Sequence, residues 1–198
     1  MSEIRAFLKS KQPVTLLLVG INVAVFIVLS ILGNTEDALF MLNHGAVFVP
    51  LVVDGGEYYR IFTSMFLHFG LQHLFYNMLV LIFLGDYLER AVGKIRFLVI
   101  YLAGGIAGNL LSIAYELYTQ DFAVSAGASG AIFAVTGALV YMVLRKKERV
   151  PGLSGQRLIL MAVLTILQGM TAIGIDNEAH MGGLAAGFLL GWLLTLRM

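Results

Sequence analysis

Cysteine is absent from all 198 residues, which excludes disulfides, thiolate zinc sites and a cysteine nucleophile. Charge is scarce as well: 13% of residues are Asp, Glu, Lys or Arg, against about a quarter in a water-soluble globule. The formal net charge of +1 gives nucleic acid no electrostatic footing. No internal repeat and no low-complexity tract marks the chain. What fills it instead is apolar, with 59% hydrophobic residues and a mean hydropathy of +0.88. Such a chain has the bilayer as its solvent. Several spans of about 20 residues each leave no room for a sizeable soluble domain, so residues 1–198 are expected to form one membrane domain.

Long apolar runs bounded by charge predict an all-α, polytopic membrane protein with six transmembrane helices, at roughly 13–33, 68–88, 95–115, 127–144, 157–174 and 179–196. An even number of spans puts both termini on one side. Arg5, Lys9 and Lys11 before the first run resemble a signal-peptide start, but the run is long enough to span and no A-x-A pattern follows, so it is expected to be retained. Basic residues cluster in the N-terminal tail, in the second-to-third connection (Arg90, Lys94, Arg96) and in the fourth-to-fifth (Arg145, Lys146, Lys147, Arg149, Arg157), with Arg197 at the end. The other side holds Arg60 alone. The positive-inside rule then predicts a multi-pass cell-membrane protein with cytoplasmic N- and C-termini.

The connection from about 34 to 67 is long for a compact domain, a common sign of function. It is also too greasy for an ordinary loop, with Ala38-Leu39-Phe40-Met41-Leu42 and Val47-Phe48-Val49-Pro50-Leu51-Val52-Val53. These runs are too short to span. Interfacial helices, a partly re-entrant segment or a loosely ordered interfacial linker all fit a membrane-associated loop between helices 1 and 2.

Spans two, four and six run in the same direction, so their first residues share one leaflet. Polar groups gather there: His73 and Asn77 on span two, Ser129 opening span four and His180 opening span six. The four-residue spacing of His73 and Asn77 stacks them on one helix face. They are either an interhelical hydrogen bond that glues the bundle or donors to an oxyanion. His68, nearby, is expected at the interface. An isolated serine in a membrane helix ordinarily bonds back to a carbonyl one turn earlier. Here Gly127, Ala128 and Gly130 remove bulk around the Ser129 hydroxyl, so another backbone can come close.

Gly183, Gly187 and Gly191 repeat every four residues on span six, a smooth stripe with His180 about one turn before it on nearly the same face. If the stripe packs on span four, the imidazole faces Ser129. A hydroxyl within hydrogen-bond reach of a neutral imidazole is a nucleophile with its base. The Gly104, Gly105 and Gly108 cluster of span three reads as packing only. Neither span four nor span six has a carboxylate in its apolar part, so a Ser–His dyad is the simplest proposal. Asp176 and Glu178 lie just before His180 and are alternative orienting groups, and Phe133, one turn after Ser129, is a candidate ring neighbour for the imidazole.

Taken together, Glu57-Tyr58-Tyr59-Arg60, His73-x-x-x-Asn77, Gly127-x-Ser129-Gly130 and Ala179-His180-x-x-Gly183 resemble the motifs of the rhomboid intramembrane serine proteases over nearly the whole chain. Each motif alone is weak; their joint order is specific. The resemblance implies a six-helix bundle with Ser129 as nucleophile and His180 as general base and acid. It implies an oxyanion site made of the Ser129 backbone N–H, Asn77 and His73, with Gly127, Gly130 and Gly183 as space-making support. The embedded loop then flanks a lateral entrance, and Glu89 takes the place of the family's structural carboxylate. Two positions depart from the common pattern: Tyr59-Arg60 where Trp-Arg is usual, and Phe133 where a Tyr ring often stacks on the histidine.

The expected function is an endopeptidase that cuts transmembrane segments of membrane proteins near the extracytoplasmic face, where the site opens. Its partners are transmembrane protein substrates and the lipid bilayer, with no nucleic acid, no metal and no cofactor. The alternative is a catalytically inactive rhomboid-like protein that binds and escorts membrane proteins. A small transporter relaying protons through buried histidines is disfavoured, because neither paired interrupted helices nor symmetric charges are present.

Overall fold

The computed structural model describes residues 11–146, 160, 163 and 175–195. The fifth expected span, 157–174, lies outside the described residues apart from Leu160 and Val163, both helical. Arg5, Lys9, Lys147, Arg149, Arg157 and Arg197 lie outside them too. The described residues are mostly helical, with no β-strand among them: α1 Pro13–Leu32, then the short α2 Ala38–Asn43, α3 Val49–Val53 and α4 Arg60–Thr63. After these come α5 Gly70–Val92, α6 Lys94–Thr119, α7 Ser129–Lys146 and α8 Asn177–Thr195. Helices α1, α5 and α6 are long and apolar enough to cross a membrane, and α7 is a shorter apolar helix.

Helix α1 begins at Pro13, where a missing N–H costs nothing, and the free N–H groups behind it are capped by α5. The buried Glu89 carboxylate accepts the N–H groups of Val14 (3.1 Å) and Thr15 (2.7 Å) and the Thr15 hydroxyl (2.8 Å). Asp86, one turn earlier, accepts the Gln12 N–H at 2.8 Å and faces Lys11 (3.6 Å) and Arg90 (3.0 Å). The α5 helix passes through a π-helical turn at Leu81–Gly85, and there a β-carbon on Gly85 would lie 3.1 Å from Thr15 Cγ2. Gly93, at φ 84°, makes the left-handed turn into α6 that a residue with a side chain would resist.

Helices α6, α7 and α8 form the centre. Gly130 meets Gly183, Ala134 meets Gly187 and Ala138 meets Gly191, so contacts on the two helices advance together by four and α7 and α8 run parallel. The third helix crosses them in the opposite sense, with Gly104 on Ala134, Gly105 on Ala131 and Gly108 2.6 Å, by its would-be β-carbon, from the Ala179 carbonyl. Ala131, Ala134 and Ala138 are buried, making α7 the core rod that the others surround. Small residues let backbones touch, and that close packing replaces the hydrophobic drive that lipid cannot supply. By contrast α1 has only 22% of its span buried, so it sits at the edge and offers most of its surface to lipid.

The close contact predicts a specific contrast. A β-carbon at Gly187 collides with the Ala134 backbone, whereas Gly20 on α1 has nothing within 4 Å. Gly187→Ala is expected to lower unfolding free energy by about 1–3 kcal/mol through overpacking. Gly20→Ala leaves it unchanged or raises it by up to about 1 kcal/mol through helix propensity. Thermal unfolding of both variants in the same detergent measures the difference.

Candidate active site

The connection between α1 and α5 is a fastened platform and not a loose linker. Arg60, itself buried, donates from Nη1 to the carbonyls of Leu42 (2.5 Å) and Ala46 (2.9 Å), and from Nε to Glu57 at 2.7 Å. The Tyr59 hydroxyl donates to the same Glu57 oxygen at 2.9 Å. Those bonds, from Tyr59 first and then Arg60, hold the Glu57 carboxyl below its ordinary pKa, so the clasp is intact at neutral pH and loosens only as pH falls through that lowered value. Thr63 bonds the Gly45 carbonyl (2.8 Å), while Asn109 of α6 reaches the Ile61 carbonyl (2.7 Å) and Ser64 Oγ (3.0 Å). The platform in turn grips the segment that leads into α7. Val47 and Ser125 exchange two backbone bonds of 2.9 Å, and the Gly127 N–H donates to the Ser64 carbonyl at 3.0 Å.

Held this way, Gly127 takes φ 146°, a conformation L side chains rarely adopt, and it has no room for one. A β-carbon there would lie 2.9 Å from His73 Cε1, 3.0 Å from His73 Nε2 and 3.6 Å from Ser129 Oγ. The His73 imidazole, the Gly127 backbone and the Ser129 hydroxyl therefore border one small space. Ser129 is half-buried at the first position of α7, and Ala128 before it is fully buried.

Asn77 is buried one turn below His73 on α5, and its amide donates to the His73 carbonyl at 3.0 Å. That bond is within the helix and uses one of two amide hydrogens, leaving the other for a different acceptor. His68 is 1% exposed, its ring 5.2 Å from that of His73 at 67°. The turn between the Ser64–Phe66 3-10 segment and α5 folds it inward, and neither of its ring nitrogens has a hydrogen-bond partner.

His180 lies in the first turn of α8, buried, with its ring stacked on Phe133 of α7 at a centroid distance of 4.4 Å and 18° between planes. Its Nδ1 is buried and unpartnered. Among the described residues no carboxylate hydrogen-bonds this ring, and the Phe133 stack packs against it. Asp176 acts one step back, on the helix start. Its Oδ1 accepts the Ala179 N–H at 2.8 Å, its carbonyl accepts the His180 N–H at 3.2 Å, and its Oδ2 accepts the Ser112 hydroxyl of α6 at 2.7 Å. This is an N-cap pinned from a neighbouring helix. The Gly130–Gly183 contact lies just below, so Ser129 and His180 open the same end of the same helix interface.

Sequence reasoning did not single out Asn109, Ser112 or Ser64, which fasten this end of the bundle. The available signal was the Asn109-x-x-Ser112 spacing, which puts two polar side chains on one face of an apolar helix.

The rhomboid-domain profile matches residues 55–197. The chain is 35% identical to Rhomboid protease GluP of Bacillus subtilis over 195 residues, 98% of this chain and 37% of GluP. It is 37% identical to RHOMBOID-like protein 1 of Arabidopsis thaliana over 165 residues, 81% of this chain and 41% of that protein. With Putative rhomboid protease YdcA of Bacillus subtilis it shares 36% identity over 143 residues, 72% of this chain and 70% of YdcA. The chain thus spans well under half the length of the first two and most of the third.

If stacking sets the imidazole, Phe133→Ala should slow labelling of Ser129 by a fluorophosphonate about tenfold, since an aromatic pair contributes up to about 1.5 kcal/mol beyond its buried area. Phe133→Tyr keeps the ring and should label at nearly the native rate. Mass spectrometry of the adduct against time checks both.

Proposed function

The chain belongs to the rhomboid family, and on that premise we propose that it is an intramembrane serine endopeptidase acting through Ser129 and His180. The observation that supports this most is the stack of Phe133 on His180 beside the Gly130–Gly183 contact, which keeps an imidazole at the Ser129 end of α7.

In the proposed reaction the Ser129 hydroxyl oxygen attacks the scissile carbonyl while His180 takes its proton. The tetrahedral oxyanion is met by the Ser129 backbone N–H, by the second amide N–H of Asn77 and by His73. Gly127 and Gly130 leave space for it. The C–N bond then breaks, His180 returns the proton to the leaving amine, and an acyl-enzyme remains. Water, activated by His180, attacks the ester and releases Ser129. None of these steps calls on a cofactor.

The substrates we propose are transmembrane segments of membrane proteins. A regular helix hides its carbonyls, so segments with small or helix-breaking residues near the membrane surface suit the site best. The topology that goes with this is six spans, the fifth at 157–174, with cytoplasmic termini and a site open to the extracytoplasmic side. The basic residues at the opposite ends of the helices, Lys94, Arg96 and Arg145, support that orientation.

Purified protein is incubated in detergent with a generic transmembrane substrate. Ser129→Ala and His180→Ala are each expected to lower cleavage by at least about 10³-fold, and Asn77→Ala to lower kcat by about 10²-fold with KM little changed. Cleavage that survives both dyad substitutions removes Ser129 and His180 from the mechanism. An intact wild-type fold that neither cleaves nor takes a fluorophosphonate at Ser129 points instead to an inactive binder of membrane proteins.

A further inference from the structure

At the end of the bundle away from Ser129, a groove of ≈ 390 Å³ runs between α7 and α8, lined by Tyr141, Leu144, Arg145, Phe188, Leu189 and Trp192. Its walls are apolar and aromatic. Tyr141 and Phe188 meet edge to face across the two helices at 5.4 Å and 86°. Leu144 (60% exposed), Leu189 (55%) and Trp192 (42%) leave the groove open to the surroundings, which in a membrane protein are lipid.

One lining residue does not suit plain hydrocarbon. Arg145 is exposed and takes part in no hydrogen bond or ion pair among the described residues, whereas Lys11, Arg90 and Arg96 at this end have partners. Lys11 and Arg90 face Asp86, so their charge is already answered. A guanidinium at the rim of an apolar groove, beside a Trp and a Tyr, combines an anchor for a headgroup phosphate with a bed for an acyl chain. Trp and Tyr rings favour headgroup depth, and basic pockets between membrane helices favour anionic headgroups. Arg also matches phosphate oxygens with two parallel N–H bonds.

We propose that this groove binds an anionic phospholipid, its phosphate on Arg145 and an acyl chain along Phe188, Leu189 and Trp192. The inference makes no use of the catalytic reading, and it stands or falls separately. A zwitterionic lipid brings a phosphate too, but its ammonium cancels the net charge that Arg145 attracts.

Trp192 is the chain's single tryptophan, so its fluorescence reports this groove alone. The full chain is reconstituted in phosphatidylcholine vesicles containing rising fractions of either dibromo-phosphatidylglycerol or dibromo-phosphatidylcholine. Half-maximal quenching is expected at about fivefold lower mole fraction for the glycerol lipid, a factor set by about 1 kcal/mol per basic side chain at the surface. Arg145→Gln should bring the two curves together. Lys94→Gln, which removes a charge from the same end of the bundle but not from the groove, should keep them apart. Equal quenching by both lipids in the native chain overturns the proposal. So does a preference that survives Arg145→Gln, or one that Lys94→Gln weakens equally, since each makes it a general surface-charge effect.

Discussion

The direct backbone contact between α7 and α8 is the constraint on which the other features depend. In a bilayer two helices gain nothing from hiding apolar surface, because lipid tails are as apolar as leucine; they hold together only if they fit closely. Gly183, Gly187 and Gly191 against Gly130, Ala134 and Ala138 give that fit, and they do so in parallel register. Register matters because it decides which residues share a level. The same contacts that pack the rods set the first turn of α8 against the first turn of α7, and Phe133 then lies flat on His180.

Among the described residues buried polar side chains are few, and several of them hold an element in place. Glu89 caps α1, Asp176 caps α8, Arg60 gathers two carbonyls and Glu57, and Asn109 ties α6 to the platform. A buried donor or acceptor without a partner costs several kcal/mol in hydrocarbon, so these contacts are strongly specified wherever they occur. Among the described residues the exceptions are Asn22 Oδ1, Tyr101 Oη, Asn177 Oδ1, His180 Nδ1 and both ring nitrogens of His68, and they are spread from the bundle core to the end where Ser129 lies.

Helix positions were readable because spans are long and uniform: 13–33 against Pro13–Leu32, and 68–88 against Gly70–Val92. The greasy 34–67 connection left three alternatives open, since runs such as Val47–Val53 are too short to declare their depth. The structure removes the loosely ordered linker through Arg60, whose reach to Leu42 and Ala46 crosses 14 to 18 residues of chain. The inward packing of His68 was not legible for a similar reason: its burial depends on a turn that folds it against His73. Asn109 and Ser112 were passed over because two polar residues on one face of an apolar helix do not reveal their partners.

By itself the sequence determined the solvent, the helical class and the family, because composition, run length and motif order are local and need no knowledge of contacts. It also determined that Ser129 and His180 lead their helices. Only the tertiary structure decided what stands around them: that Asp176 serves the helix start and Ser112 in place of the imidazole, and that His73 closes on Gly127. The physical reason is that a hydrogen bond or ring contact is fixed within about an ångström, and no spacing along one helix specifies how far a second helix stands from it.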